Sequence, residues 1–300
     1  MQTNTYQADL SQAKEFLHHL IRQKATKEGL EWLDSQTEKL RTSWNQRTFY
    51  FSFSSVPRFM GKASVDYNEE SIQQADQLRT GFHPRGWDLT QLARTYILLF
   101  LPHEDAKEYL LTINRMCETA DMYEQQAIYA ALPLLPHPEE LTGRAAEGVR
   151  TNMTNVFDAI ALHNPYPADY MEQEAWNQLV LKAVFMGRPL YKIYGADQRA
   201  NPDLARMLIY FAHERWAAHR DVTPEIWRFI APYLSEEYLP DLEKTVKQGK
   251  PLEVEAVLLA CSVSTYTGGR QILDQNPEIK NRIVSEQLTW DGIGERHHNA

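Results

Sequence analysis

Apolar residues recur at helical spacing along most of the chain. Near the start, Leu10, Phe16 and Leu20 fall on one side of a helix, and proline-marked segments of similar periodicity follow. Residues 48–62 contain alternating phenylalanines that would also suit a strand. A lone strand would have no sheet to join, so a helix broken near Pro57 is favoured. The sequence therefore predicts an all-α fold with no sheet of more than two short strands.

A weak repeat accompanies this periodicity. Pro102-His103 ends one apolar run and opens a helix, and Pro136-His137 does the same thirty-four residues later. A spacing in the thirties is typical of helical hairpins that stack into a superhelix of the HEAT or TPR type. We expect one domain of stacked helical hairpins over residues 1–288, with 289–300 as a flexible C-terminal tail.

Composition limits the possible partners and compartments. The net charge of −9 argues against nucleic-acid binding, which requires a basic surface. The N-terminus lacks the basic start and apolar run of a signal peptide, and no apolar run is long enough to span a membrane. We therefore expect a cytoplasmic protein with no direct membrane insertion. Cys117 and Cys261, in apolar helical contexts, are expected to be buried free thiols.

The most unusual pattern lies between residues 144 and 162. Read as one helix, this stretch has an apolar core face and an opposite polar strip with Arg144, Glu147, Thr151, Asn155 and Asp158, flanked by Arg150, Asn152 and Thr154. Asn, Thr and Asp are poor helix formers because their side chains compete for backbone hydrogen bonds. The strip is therefore either a buried polar network between helices or the wall of a polar pocket.

The next segment predicts a tight corner and a new helix. His163 and Asn164 precede two prolines that stiffen the turn, and Asp169 with Glu172 has the spacing of a capping box. Lys182 is then the only charge in an apolar run. Burial could activate Lys182 as a Schiff-base or general-base amine, but pairing with a carboxylate such as Asp158 is the favoured interpretation.

A later helix, 203–220, has a second polar side. Tyr210 and His213 lie on it, with Glu214 beside His213. The spacing of His213 and His219 excludes a zincin site, which needs histidines four residues apart. A hydrogen-bonded structural histidine is favoured over a general base or metal ligand.

Known catalytic motifs are missing from the sequence. There is no Walker loop, Rossmann glycine pattern, GxSxG or paired CxxC, so no cofactor and no metal are expected. Arg58, Lys62, Arg85 and Arg94 form a basic group that could hold an anion, although a solvated patch is the default interpretation.

Several segments resemble one known family. RAAEGVRTNMTNVFDAIALHNPYPADY, AWNQLVLKAVFMGRPL, DQRANPDLARMLIYFAHERWAAHR and VPRFMGK together are similar to the EboA family of metabolite traffic proteins. The similarity is most specific over about residues 120–235. Genes of that family in cyanobacteria and other bacteria accompany a prenyltransferase-like membrane protein, a sugar-phosphate-cyclase-like protein and hydrolase- or isomerase-like proteins. The resemblance implies a role in moving secondary-metabolite precursors out of the cytoplasm.

Two functions follow as hypotheses. The first is a helical small-molecule-binding or scaffold protein whose partners are a metabolite, a membrane prenyltransferase-like protein and other proteins of the pathway. The second is an unrecognised enzyme of a cyclitol or prenyl-lipid pathway that uses Asp158 or His213 as acid or base. The predicted pocket lies between the 144–162 and 203–220 helices, roofed by 163–168 and 187–201. Its candidate ligand-binding residues are Arg144, Arg150, Asn152, Asn155, Asp158, His163, Asn164, Lys182, Tyr210, His213 and Glu214.

Overall fold

Helices account for the regular structure of the chain. The computed structural model describes residues 8–299, which contain eighteen α-helices, five short 3₁₀ helices and, in place of a strand, one isolated bridge between Ser64 and Asp88. The predicted all-α class is confirmed. Residues 1–7 of the predicted domain and residue 300 of the predicted tail lie outside the described residues.

The chain divides into two compact units, which meet in sequence between residues 171 and 172. The first unit contains α1 (Leu10–Arg22), α2 (Lys27–Thr42), α3 (Gln46–Met60), α4 (Glu69–Leu78), α5 (Leu89–Leu98), α6 (Ala106–Thr119), α7 (Met122–Ala130), α8 (Thr142–Val149), α9 (Thr154–Ala161) and α10 (Tyr166–Tyr170). No glycine- or serine-rich linker marks the division, because only residues 171 and 172 separate α10 from the next helix.

Helix α5 is the centre of the first unit. All ten of its residues are buried, and it packs against α1, α3 and α7. Its start is set locally: the Asp88 carboxylate accepts a hydrogen bond from the backbone N–H of Gln91 at 2.8 Å. Because α5 is surrounded, its polar residues must find partners inside the protein.

Helix α3 corrects one prediction. The expected break near Pro57 is wrong, since the helix runs through Pro57 to Met60. Proline has no N–H to offer the carbonyl four residues earlier, which belongs to Phe53. That carbonyl instead accepts a hydrogen bond from Nε of the buried Arg94 at 3.4 Å. A tertiary contact thus replaces the missing helical bond.

The two copies of the Pro-His repeat are in contact. Nε2 of His137 lies 2.8 Å from the carbonyl oxygen of His103. His137 has φ of 54°, in the left-handed region, and a 3₁₀ helix, Pro138–Leu141, begins directly after it. The second histidine therefore turns the chain and binds to the end of the first copy.

The second unit is arranged around α15. It contains α11 (Gln173–Phe185), α12 (Pro202–Ala217), α13 (Ile226–Ile230), α14 (Leu239–Gln248), α15 (Pro251–Val263), α16 (Thr267–Asp274), α17 (Pro277–Val284) and α18 (Trp290–His298). The remaining 3₁₀ helices of the chain are Leu132–Leu134, Leu190–Lys192, Ala231–Tyr233 and Glu236–Tyr238. Helix α15 is buried from Glu255 to Cys261 and packs against α13, α14, α16, α17 and α18. A helix that is apolar on nearly every side needs such a central place.

The C-terminal segment 289–300, expected as a flexible tail, consists mostly of α18. Thr289 caps the helix through a hydrogen bond from the Gly292 N–H at 3.1 Å. Arg296 pairs with the buried carboxylate of Glu255, and His298 lies 2.7 Å from the buried carboxylate of Glu225. Both partners lie far upstream in the sequence, so local patterns give no sign of this docking.

Candidate functional site

An open groove lies on the first unit, between α1 and α4. Its volume of about 510 Å³ is within the range of small-molecule sites. Phe16 and Leu78 contribute its apolar surface. Its polar lining consists of Gln12, Glu15, His18, His19, Arg22, Glu70, Gln74 and Gln77.

Helical periodicity creates this α1–α4 groove. Gln12, Glu15, His19 and Arg22 are spaced by three, four and three residues, so they lie along one side of α1. Glu70, Gln74 and Gln77 form the matching line on α4. Both lines are exposed, while the opposite sides of the two helices are buried in the core.

One groove residue, His18, is held in a fixed orientation. Its Nε2 lies 2.7 Å from the Asp34 carboxylate of α2. Its ring packs against that of Tyr96 in α5, with 5.4 Å between the centroids. On α4, the Gln74 amide donates to the Glu70 carboxylate at 3.2 Å. These contacts reduce the freedom that a ligand would otherwise have to restrict.

The groove contains both hydrogen-bond donors and acceptors. Three glutamine amides offer both, two glutamates accept, and Arg22 donates. A hydroxyl group also donates and accepts, so a compound with several hydroxyl groups complements this lining better than an apolar one does. In residues 8–299, no group of three or more His, Cys, Asp or Glu side chains is arranged to hold a metal ion.

A second groove lies on the second unit, beside the end of α12 and the start of α15. It has a volume of about 380 Å³. Its lining consists of Trp216, His219, Arg220, Asp221, Lys244, Thr245, Gln248, Gly249, Lys250 and Glu253. Lys244 Nζ lies 5.5 Å from the Trp216 ring centroid, and Lys250 Nζ lies 2.7 Å from the Asp221 carboxylate. The hydrogen bond between them lowers the pKa of Asp221 and raises the pKa of Lys250.

The central polar strip does not form one helix, so that prediction is wrong. Helix α8 ends at Val149 and α9 begins at Thr154. Between them the Thr151 hydroxyl accepts a hydrogen bond from the Met153 N–H at 3.1 Å. This is the competition for the backbone that makes threonine and asparagine poor helix formers. Because the break changes the direction of the chain, residues before and after it do not share a helical face.

The predicted residues of this strip have different surroundings. Arg144 is partly buried, where its Nε donates to the Asn114 side chain at 2.9 Å. Arg150 is exposed and pairs with Glu147 at 2.6 Å. Asn152 and Asn155 are exposed, and Asp158 is partly buried in α9. None of these five side chains lines the α1–α4 groove or the second groove.

Hydrogen bonds of His163 and Asn164 hold the corner after α9. Asn164 is buried, donates to the carbonyls of Ala159 and Tyr129, and accepts from the Tyr166 N–H. His163 has φ of 54° and its carbonyl accepts a hydrogen bond from the His83 N–H at 3.3 Å.

The predicted capping box at Asp169 is wrong. Helix α11 follows Glu172, whose side chain makes no capping bond. Asp169 instead forms a buried ion pair with Arg79 of the first unit. A buried cation in reach of a carboxylate is a stronger partner than a helix N–H, so the long-range pair prevails.

Three predicted residues lie on α12 and one on α11. Tyr210 and Glu214 are exposed. His213 is half-exposed, with its Nε2 2.9 Å from the Asp241 carboxylate of α14 and its ring 5.7 Å from that of Trp216. Burial lowers the pKa of Lys182, which is partly buried in α11. The two walls of the predicted pocket belong to different units, and a pocket between them stays a prediction.

The four residues of the predicted basic group differ in exposure. Arg58, Lys62 and Arg85 are exposed, whereas Arg94 is 2% exposed in α5. Arg94 reaches the Glu124 carboxylate only at 3.4 Å, and its Nη1 has no hydrogen-bond partner among the described residues. The spacing of these residues could not reveal which cation is enclosed.

The residues of the α1–α4 groove were missed in the sequence. Their spacing was visible, but polar residues on one side of a helix usually face solvent. The useful signal is composition: both lines contain glutamine where a solvated face usually carries lysine. The pairing of α1 with α4, which turns two polar lines into a groove, is a tertiary property.

One family model matches more than two thirds of the chain. The model of metabolite traffic protein EboA matches residues 13–231. All lining residues of the α1–α4 groove except Gln12 lie in this segment, whereas the α14–α15 side of the second groove lies beyond it. No curated protein and no solved structure matches the chain.

Proposed function

We propose that the chain, which belongs to the metabolite traffic protein EboA family, is a helical small-molecule-binding protein. Its ligand is a hydroxyl-rich metabolite held in the α1–α4 groove. The protein thereby assists the transport of metabolite precursors out of the cytoplasm, together with a membrane prenyltransferase-like protein of the same pathway.

The lining of the α1–α4 groove carries this proposal. Three amides and two carboxylates face one cavity of small-molecule size inside the family-matched segment. Most of these side chains are exposed and rest on rigid helices, so they are available to a ligand and their backbone is already placed. The ordered His18 adds a ring nitrogen contact whose direction is set by Asp34.

Binding is tested by ligand-observed NMR with the purified protein. The probes are myo-inositol, which has many hydroxyl groups, and indole, which is flat and mostly apolar. We expect saturation transfer to myo-inositol and much less to indole. Transfer to indole alone would contradict a hydroxyl-rich ligand.

A variant of α4 locates the site. Glu70→Ala, Gln74→Ala and Gln77→Ala together remove one wall of hydrogen-bonding groups, while alanine maintains helix propensity. The matched control is Glu69→Ala with Gln73→Ala, which also removes one glutamate from exposed positions of the same helix. The wall variant should lose the myo-inositol signal and, in a host that lacks its own copy, export of the pathway product. Equal signals from the two variants would place the ligand elsewhere.

An enzyme is the second candidate function. The observation that favours it is His213, because a histidine oriented by a carboxylate 2.9 Å away is a typical arrangement for a general base. Its half-exposed ring lies near Trp216, a residue of the second groove. His213→Gln should abolish conversion of the pathway intermediate if the protein is an enzyme. Under the binding proposal, pathway output remains in this variant.

A further inference from the structure

An exposed face of α3 carries aromatic and basic side chains without any acidic residue. The stretch from Trp44 to Lys62 contains no Asp or Glu, although the whole chain has 40 of them and a net charge of −9. Arg47, Phe51 and Arg58 are spaced by four and seven residues, so they form one line along the helix. We use the name α3 patch for six residues, which are Trp44, Arg47, Phe51, Arg58, Phe59 and Lys62.

The aromatic residues of the α3 patch are not part of the core. Phe51 is 57% exposed, Trp44 is 38% exposed and Phe59 is 37% exposed. The opposite side of α3 already supplies the buried contacts, through residues that include Phe49 and Phe53. Folding therefore does not require aromatic side chains on the outer face. Leaving them in water is unfavourable unless another surface covers them.

The cations of the α3 patch are available to a partner. Arg47 and Arg58 form no ion pair with any residue in the described range 8–299. Lys62 lies over the Tyr123 ring, 4.3 Å from its centroid, and Tyr123 is itself 46% exposed.

Three of the four carboxylates on the neighbouring helix α2 are paired, and one of them is Asp34, which binds His18. Glu38 pairs with Arg41 at 2.8 Å, and Glu31 lies 3.8 Å from Lys27. Trp32 of the same helix stacks on Phe59, with 4.3 Å between the ring centroids. The edge of the patch is thus rigid, and most carboxylates of α2 already pair with cations outside the patch.

The geometry points to the surface of a membrane with anionic lipids as the occupant of the α3 patch. Arginine and lysine bind lipid phosphates, while tryptophan and phenylalanine settle at the boundary between headgroups and acyl chains. A protein interface usually has an apolar centre with a polar rim, whereas basic and aromatic side chains alternate along this patch. No helix in the described residues is long and apolar enough to cross a membrane.

Charge also gives the interaction a direction. A chain with net charge −9 is repelled by an anionic surface on most sides, and the α3 patch is a locally basic region. Binding would therefore orient the molecule with α3 towards the lipid. This surface is separate from the α1–α4 groove, and the inference does not depend on the ligand of that groove.

Vesicle co-sedimentation of the full chain tests the inference. Vesicles of phosphatidylcholine alone are compared with vesicles of phosphatidylcholine and phosphatidylglycerol in equal amounts. The wild-type protein should bind only the anionic vesicles strongly, and added salt should weaken binding. Each cation near such a surface contributes roughly five- to tenfold in affinity, so Arg47→Gln with Arg58→Gln should reduce it by about thirtyfold.

The aromatic contribution has its own variant and control. Phe51→Ser should reduce binding to anionic vesicles several-fold, whereas Phe185→Ser in the second unit, where the side chain is 77% exposed, should leave it unchanged. All of these are surface changes, and unchanged thermal melting confirms that each variant is folded. Absence of wild-type binding, equal binding to neutral vesicles, or full binding by the double arginine variant would overturn the inference.

Discussion

Helices α5 and α15 are each the buried centre of one unit, and each carries one buried charge. In α5 the charge is Arg94, which is 2% exposed, and in α15 it is Glu255, which is 8% exposed. Glu255 is paired with two arginines, whereas Arg94 has a single carboxylate at 3.4 Å. The buried charge of the second unit is therefore well compensated by its partners, whereas that of the first unit is compensated incompletely.

The pKa values reflect this difference. Burial, the largest effect, would raise the pKa of Glu255, but hydrogen bonds and charges from Arg296 and Arg282 outweigh it and the pKa lies below its ordinary value. Burial is also the largest effect on Arg94, and there it prevails: its pKa is lowered despite Glu124. Arginine still stays protonated in proteins, so Arg94 is a buried cation with incomplete compensation.

The two charges also have different structural consequences. Arg282 belongs to α17 and Arg296 to α18, so Glu255 ties both C-terminal helices to the core. Arg94 instead donates a hydrogen bond to the Phe53 carbonyl, because Pro57 has no N–H to donate. A charge on a central helix can therefore hold outer helices in place or repair a local defect, and the difference is measurable.

The largest expected effect is from Glu255→Lys. The change places three cations together in a partly dry site, so the free energy of unfolding should fall by about 4 kcal/mol or more. Urea denaturation measures it. Glu295→Lys, an exposed position on α18, is the control and should change stability by less than about 0.5 kcal/mol. Similar losses in both variants would show that α18 does not depend on the Glu255 pair.

Arg79→Met is expected to have the next largest effect. The side chains of Arg79 and Asp169 are 4% and 13% exposed, and the pair is close, unlike that of Arg94. Removal of the arginine leaves a carboxylate with little access to water, so we expect a loss of about 3 kcal/mol in unfolding free energy. Thermal melting and urea denaturation both report it. A change near zero would show that a close buried ion pair contributes no more to stability than a distant one.

Glu255→Gln should lower stability by about 2 kcal/mol at neutral pH, because charge-assisted hydrogen bonds become neutral ones. The folded-state pKa of Glu255 lies below its ordinary value of 4.5. Its contribution is therefore fully present above the unfolded-state pKa and is lost as pH falls through the folded-state pKa. The difference between the wild-type protein and Glu255→Gln should shrink in acid. A difference that is constant down to the acid transition would contradict this assignment.

The smallest expected effect is from Arg94→Met, which changes a buried cation into an apolar side chain of similar length. Removal of the poorly compensated Arg94 charge offsets much of the cost of leaving the Phe53 carbonyl without a partner, so the unfolding free energy should fall by only about 1 kcal/mol. Glu124 still has its capping bond from the Asp121 N–H at 3.1 Å. A loss as large as that of Arg79→Met would show that Arg94 is better satisfied than its distances indicate.

The sequence by itself determined the class of fold and many of its local features. Periodic apolar residues specify helices because burial of one side is their main source of stability, and Asp88 and Asn201 start helices through a bond within three residues. The family was also accessible, since its motifs are contiguous. The two polar lines of the α1–α4 groove could be seen as lines.

Only the tertiary structure decided which polar residues meet. Thr151 broke the central helix by competing for a backbone N–H, while Pro57 did not break α3 because Arg94 reached its orphaned carbonyl. Asp169 pairs with Arg79, ninety positions away in the chain, instead of capping a helix as expected. These pairings depend on which groups share a buried site, because an unpaired charge or polar atom there lowers the stability of the fold. That penalty is a property of the folded environment, and local sequence patterns contain no measure of it.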